Sequence, residues 1–425
     1  MTGREFIDDL KWRGLFSQST DEDSLVEALD SGPVTGYIGF DPTAPSLHIG
    51  NLVVLLVLRR FQLAGHRPIA LVGGATGLVG DPGGRNTERT LNDEDVVATW
   101  VSGIRKQLEA FLSFDGSANG AVMVNNLDWT RSLTALELLR DIGKHFSVNQ
   151  MLAKDSVATR LEGGGISYTE FSYQVLQSYD FLELYRRHGC TLQMGGSDQW
   201  GNITAGLDLV RRVDQGSAHA LTMNLLMKAD GTKFGKTAGG SVWLDPEMTS
   251  PYAFYQYWFN SDDADVVSYL KFFSFADHAT IDELATQVQE KPAQRAAQRF
   301  LAREMTSLVH GQDECERVEL AAAALFGQGD LSEVKEATLA GALSQVPKAT
   351  ISRGQDLPSL IELLAATGVV DSKSAAKRTI REGGAYLNNV KVTDEAFVPT
   401  QSDLLHDRFL VLRRGKRDIA AIEVS

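Results

Sequence analysis

Cysteine is scarce in this sequence: Cys190 and Cys315 stand alone among 425 residues, too few to staple a chain of that size. No CxxC pair and no cluster of histidines offers zinc-ligand spacing, so no protein-bound metal is expected. Long apolar runs are missing as well. The longest, 52–58, stops at Arg59-Arg60, far short of the roughly 20 residues that cross a bilayer, and it reads as a buried helix. Residues 1–9 carry acidic side chains and lack both the basic start and the apolar core of a secretory signal, which leaves a cytoplasmic location with no membrane contact as the expectation. Positive charge is in deficit, with 41 Lys and Arg against 55 Asp and Glu and a net charge of −14, which disfavours indiscriminate binding to nucleic acid. The deficit is uneven. Residues 372–417 hold ten Lys or Arg against five Asp or Glu, so that end is +5 and suits an anion.

A chain this long exceeds what one hydrophobic core usually serves, so two or three domains are expected. Residues 34–40 read as a strand, 51–64 as an apolar helix closed by Gly65, and 68–72 as a second buried strand before Gly73-Gly74, which together make a βαβ unit. Further apolar strands at 121–124 and 191–194 predict an α/β domain with a parallel sheet over 1–240, its ligands at the strand C-termini. From 241 to 330 the pattern is helical, with stretches at 252–259, 263–273, 281–289 and 292–310. Residues 331–356 have poor periodicity and suit a linker with partial structure. A small α+β unit over 357–425 follows, with helices at 359–366 and 372–381 and strands near 386–387, 390–392 and 409–412.

The segment from Tyr37 to Asn51 joins the first strand to the first helix, where a phosphate would meet backbone N–H groups and the helix dipole. Gly50 would let a flat base approach the backbone, and His48 can donate to a phosphoryl group as negative charge grows on it. Taken alone, a histidine in such a turn is more often structural. The second feature is Lys233-Phe234-Gly235-Lys236-Thr237, inside the turn-rich stretch 229–240, where two lysines three apart suit a leaving pyrophosphate; an isolated pair of this kind is more often a solvated loop. Tyr173 and Gln177 are four apart on an expected helix, a spacing that more often reflects ordinary packing than a ligand clamp. Asp180 and Asp198 also suit helix or turn caps, Trp129 and Trp200 a core, and Cys190 a buried small residue.

His48-Ile49-Gly50-Asn51 resembles the HIGH signature, and residues 233–237 the KMSKS signature, of class I aminoacyl-tRNA synthetases, in the expected order. The stretch from Tyr37 to His48, Gly73-Gly74-Ala75-Thr76-Gly77-Leu78-Val79-Gly80-Asp81-Pro82, Phe171-Ser172-Tyr173, Gln177, Asp180 and Gly195-Gly196-Ser197-Asp198-Gln199-Trp200-Gly201-Asn202 resemble the bacterial-type tyrosyl branch, over essentially the whole chain. The resemblance implies a Rossmann-like catalytic domain that activates L-tyrosine with ATP and loads the 3′ end of tRNA(Tyr). It places Tyr37 and Asp180 on the substrate phenol, so that phenylalanine would leave both unpaired in a buried site. Asp81, Tyr173 and Gln177 would bind the ammonium, and Gln199 would lie near the carboxyl. Gly39, Asp41, His48, Gly50, Asn51, Gly196, Asp198, Lys233 and Lys236 would bind ATP, with Asp198 on the ribose. Thr43 and His48 would stabilise the γ-phosphate side, and Lys233, Lys236 and Thr237 would close over the β and γ groups, with Mg²⁺ arriving on the nucleotide. The chain departs from the pattern at Asn51, which replaces the second His; at Ile38, where some members are polar; and at Arg85, often Lys, with Arg89 four residues on.

The same resemblance makes 241–330 the anticodon-side helical domain and 357–425 an S4-like RNA-binding module with Lys377, Arg378 and Arg381 on one helix face. The insertion at about 125–160 would form the two-fold interface of a homodimer. Three other readings compete: a tryptophanyl-like relative, which has no use for Tyr37 with Asp180; an RNA-binding protein with a degenerate site, against which His48, Asp81, Lys233 and Lys236 argue; and a nucleotidyltransferase of the same fold, which would not need the C-terminal tail.

Overall fold

The computed structural model describes every residue except 82–91, 155–156, 159, 162–164, 233 and 238–239. The chain divides into two compact units, Met1–Asp245 with Asp262–Ala297, and Pro246–Ser261 with Gln298–Ser425. The helical stretch 241–330 is shared between them: Asp263–Phe273 and His278–Glu290 belong to the first unit, Pro251–Phe259 and Gln312–Leu325 to the second. No helix among the described residues is long and apolar enough to cross a membrane.

The first unit is built on six strands: β1 (Phe16–Ser19), β2 (Thr35–Phe40), β3 (Arg67–Val72), β4 (Val122–Asn125), β5 (Cys190–Gly196) and β6 (His219–Met223), in spatial order β1-β6-β5-β2-β3-β4. β2 to β6 run parallel, as the βαβ pattern requires, while β1 pairs antiparallel with β6, Ser19 opposite Leu221. β1 escaped the sequence reading because none of its four residues is buried, so it has no apolar run; β6 was also missed. The Ile49–Leu63 helix covers one face of the sheet with fully buried Leu52, Leu55, Leu56 and Leu58. Each such leucine stabilises the fold by roughly 1.5–3 kcal/mol. Phe181, Leu182 and Leu184 of the Tyr168–His188 helix and Leu209 and Val210 of the Trp200–Asp214 helix pack in one cluster with Tyr37 and Ile69. The strand order reverses at β2, which has β3 on one side and β5 on the other, so a crevice opens at the carboxyl ends of these strands. A hairpin of β7 (Lys236–Thr237) and β8 (Gly240–Ser241) follows β6.

The second unit contains a five-stranded sheet of β9 (Lys348–Ile351), β10 (Ala385–Leu387), β11 (Val390–Val392), β12 (Phe409–Arg414) and β13 (Asp418–Val424), ordered β11-β10-β12-β13-β9. The stretch 331–356, read as a linker, contributes the Glu336–Leu343 helix and β9, which pairs parallel with β13. Leu360 and Leu364 of the Leu360–Ala366 helix and Ala376 and Ile380 of the Lys373–Arg381 helix bury against Leu387, Leu412 and Ile422 of the sheet.

Candidate active site

A cleft of about 400 Å³ opens at the carboxyl ends of β2 and β5. The described sequence-predicted cleft residues converge on it from five places. Tyr37, Gly39, Asp41 and Thr43 come from β2 and its following turn, and His48, Gly50 and Asn51 from the start of the next helix. Tyr173, Gln177 and Asp180 come from the Tyr168–His188 helix, while Gly196, Asp198 and Gln199 come from the end of β5 and the turn after it. Asp81 also lines the cleft. The spacing of four and then three residues puts Tyr173, Gln177 and Asp180 on one helix face, and that face looks into the cleft rather than into packing alone.

Asp180 lies at the closed end, 3 % exposed in mid-helix, so it is not a cap. Asn126 Nδ2 donates to its Oδ2 at 2.9 Å and Trp129 Nε1 to its Oδ1 at 2.8 Å. Burial pushes the carboxyl up to about 7, against the pull of those two hydrogen bonds, with Asp41 and Glu183 adding to the rise. Tyr37 is buried beside it on β2, its ring tilted against Phe181 at 5.4 Å. Burial first, then the charge of Asp180, raises the Tyr37 hydroxyl well above its ordinary value and keeps it a neutral donor. Its oxygen has no hydrogen-bond partner, and neither have Gln177 Oε1 and Gln193 Oε1. Three buried polar atoms without partners at one cleft are costly unless a ligand completes them.

Further out, the Tyr173 hydroxyl donates to Asp41 Oδ2 at 2.6 Å, and Thr76 donates to Asp41 Oδ1 at 2.7 Å. Gln199 Nε2 donates to Asp81 Oδ2 at 2.8 Å and reaches Asp198 Oδ2 at 3.3 Å, linking the predicted ammonium and ribose carboxylates. Four carboxylates around one cleft suit a cationic ammonium and ribose hydroxyls.

His48 caps its own helix. Gly50 N–H donates to His48 Nδ1 at 3.0 Å, and His48 N–H donates to Asn51 Oδ1 at 3.0 Å. Burial lowers the imidazole below its ordinary value, so it is neutral near pH 7, and with Nδ1 accepting, its hydrogen sits on Nε2. A side chain at Gly50 would meet the imidazole, with an added Cβ 2.8 Å from His48 Cε1. The second signature lies next to the first: a Cβ on Gly235 would be 3.4 Å from Ile49 Cγ1. Phe234 is stacked on Phe273 and edge-on to Tyr269, each at 5.1 Å, and Ala229 N–H donates to Asp265 Oδ1 at 2.8 Å, which ties the loop's entry to the Asp263–Phe273 helix.

Lys233, Arg85 and Arg89 lie outside the described residues, as do the side chains of Lys236 and Thr237. Lys377, Arg378 and Arg381 are exposed on the Lys373–Arg381 helix of the second unit, with Arg381 Nε paired to Glu395 at 3.0 Å. Sequence reasoning missed Thr76, Asn126 and Gln193 as site residues and took Trp129 for core alone. Trp129 is buried, but its N–H also fixes Asp180. The signal available for Asn126 was a pair of asparagines at the carboxyl end of an apolar strand. Cys190 is fully buried, as read, and burial pushes its thiol up to about 12.

Residues 29–327 match the family described as tRNA synthetases class I (W and Y), and residues 338–422 match the tyrosine--tRNA ligase SYY-like C-terminal domain. The chain is 62% identical over 424 residues to a tyrosine--tRNA ligase of Streptomyces coelicolor, covering 99% of each, and 60% identical over 428 residues to one of Thermobifida fusca, covering 98% of this chain and 99% of that one. Among solved structures, a C-terminally truncated mitochondrial tyrosyl-tRNA synthetase of Aspergillus nidulans superposes with a TM-score of 0.68 at 30% identity, covering 76% of this chain and 97% of that one. With an α/β core, a helical region and a C-terminal α+β domain, and with the cleft residues in one place, the chain belongs to the tyrosine--tRNA ligases of the class I synthetase family.

Proposed function

We propose that this chain activates L-tyrosine with ATP and transfers the tyrosyl group to the 3′ end of tRNA(Tyr), with the residue roles that follow. The observation that carries these roles is the closed end of the cleft, where the partnerless Tyr37 hydroxyl and the Asp180 carboxylate lie in one buried pocket. The substrate phenol donates to Asp180 and accepts from Tyr37, which completes both. An indole has a donor and no hydroxyl acceptor for Tyr37, so tyrosine fits and tryptophan does not. Gln177 Oε1, the Tyr173 oxygen and Asp81 take the three ammonium hydrogens, and Gln199 lies beside the carboxylate.

Held there, the tyrosine carboxylate attacks the α-phosphorus of ATP in line. A C–O–P mixed anhydride forms and the bond to the β-phosphate oxygen breaks, giving tyrosyl-adenylate and pyrophosphate. His48 Nε2–H and Thr43 donate to the phosphate oxygens as charge moves outward, and Lys233, Lys236 and Thr237 close over the β and γ groups. Arg85 and Arg89 are further pyrophosphate contacts. Asp198 takes the ribose hydroxyls, while Gly39, Gly50 and Gly196 leave room for the nucleotide and Asp41 and Asn51 border it. Mg²⁺ comes with ATP and offsets phosphate charge. The tRNA terminal hydroxyl then attacks the tyrosyl carbonyl and AMP leaves.

Residues 1–240 would be the catalytic domain, 241–330 the anticodon-side helices, and 357–425, with Lys377, Arg378 and Arg381, the RNA-binding module. A cytoplasmic homodimer formed through 125–160 is part of the proposal, and exposed Leu136, Leu139 and Val148 in that insertion support it. The test is pyrophosphate exchange with each standard amino acid, comparing the unaltered chain with Asp180→Ala and Lys236→Ala. Exchange driven by tyrosine alone and crippled by both changes is expected. Exchange with another amino acid, or none, would overturn the reading and favour a relative of different specificity or a retired site.

A further inference from the structure

The strand that leaves the β7–β8 hairpin runs alongside the start of the Ile49–Leu63 helix. Ile49 N–H donates to Val242 O at 3.0 Å and Leu244 N–H donates to Leu47 O at 2.9 Å. These two bonds flank His48 and Trp243, which face each other as an antiparallel bridge. In such a pair the side chains stand at their closest, on the same face. The imidazole and indole meet accordingly, centroids 5.9 Å apart at 62°. Val242 and Leu244 are 6 % and 3 % exposed and anchor the strand on either side of Trp243. His48 is therefore fixed by Gly50 N–H at Nδ1 and by the Trp243 ring beside it. Gly235, at φ +89, brings the second signature's backbone against the same helix start, 3.6 Å from Gly50 N for an added Cβ.

We propose that Trp243 is a positioning residue for adenylate formation: its ring holds the His48 imidazole so that Nε2–H faces the phosphates, and its strand runs beside the same helix start that Gly235 approaches. Trp243 is not among the residues that line the cleft. Its effect runs through His48, and the inference rests on the adenylation reading above. Without the indole, the ring gains rotamer freedom and the donor is aligned only part of the time. An aromatic contact of this kind corresponds to about three- to tenfold in a rate.

The experiment is a double-mutant cycle in tyrosine-driven pyrophosphate exchange on the full chain, using Trp243→Leu, His48→Ala and the double variant, with tyrosine binding measured without ATP by calorimetry. Trp243→Leu should lower kcat about three- to tenfold with KM for tyrosine unchanged, Trp243→Phe should recover most of the loss, and Trp243→Leu should have little further effect once His48 is alanine. An equal loss in both backgrounds, an unchanged kcat, or a rise confined to KM for tyrosine would overturn the proposal. If Trp243→Leu no longer binds tyrosine, the cycle is run with Trp243→Phe: a smaller loss that vanishes in the His48→Ala background supports the role, and the same loss in both refutes it. Failure of the unaltered chain to exchange with tyrosine would sink the activity itself, whereas exchange unmoved by Trp243→Leu sinks this inference alone.

Discussion

The hydroxyl of Tyr173 gives its hydrogen to Asp41 Oδ2 at 2.6 Å, joining the middle of the Tyr168–His188 helix to the turn after β2. A residue expected on the tyrosine side and one expected on the nucleotide side are thus a single hydrogen-bonded unit, steadied by Thr76 on the other carboxylate oxygen. With its hydrogen committed, the Tyr173 oxygen has its lone pairs free of that bond, and in the proposed reading they accept from the substrate ammonium. Tyr173→Phe removes that acceptor and loosens Asp41 together. KM for tyrosine should rise about tenfold or more, the scale of one hydrogen bond to a charged group, and KM for ATP should rise by less. Steady-state exchange kinetics measure both, and a tyrosine KM that does not move would show that the oxygen contacts no substrate.

Asp180 should set the pH response. Its folded-state pKa of about 7 lies above the ordinary 3.8, with burial the largest cause. The native chain holds this proton more tightly than the unfolded chain, so the group's contribution to stability is complete below about pH 4 and is lost as pH rises through about 7. Recognition in the proposed reading runs the other way, because there only the ionised Asp180 carboxylate accepts from the phenol without competing. KM for tyrosine should climb as pH falls below about 7, and Asp180→Asn should flatten that dependence. Trp129→Phe removes a donor to the carboxylate and should shift the bend to higher pH; a bend that stays in place would mean that the indole does not stabilise the charge.

The apolar side chains of the insertion offer a test of assembly. Leu136 and Leu139 are 77 % and 58 % exposed, more than an isolated surface needs from neighbouring leucines. Leu136→Glu with Leu139→Glu should leave the fold intact and halve the mass seen by sedimentation. An unaltered chain already sedimenting as a monomer would remove the two-fold interface from the proposal.

The exposed cations of the Lys373–Arg381 helix should matter for tRNA and not for the adenylate. Lys377→Ala with Arg378→Ala should leave pyrophosphate exchange unchanged, raise KM for tRNA about tenfold at moderate salt, and reduce the salt dependence of charging by about two ions. Charging that is insensitive to both changes would place RNA binding elsewhere.

The parts of the site that could be read in advance were those local in sequence. β2, β3 and the helix between them follow from contiguous apolar runs, and the Tyr173, Gln177 and Asp180 face follows from helical spacing. What could not be read was the support behind those residues. Asn126 and Trp129 reach Asp180 across 54 and 51 positions, and Thr76 reaches Asp41 across 35, distances over which periodicity carries no signal. Gln193 lay hidden for another reason: inside the apolar run of β5 it counts as one more buried strand position, and only the fold sets it beside Tyr37 across the β2–β5 pairing.

The antiparallel edge strand has a consequence for how the chain is made. β1 pairs with a strand about 200 residues later, and at roughly 5–20 residues per second of synthesis it waits on the order of ten to forty seconds for β6. When β6 emerges, its outer row of N–H and C=O groups meets a partner already attached to the same chain. On a crowded polysome that row would otherwise invite the corresponding strand of a neighbouring nascent chain. Removing residues 1–19 would bare the outer edge of β6 and also take the buried side chains of Phe6, Ile7, Leu10 and Leu15 out of the core, so it should cost yield through aggregation.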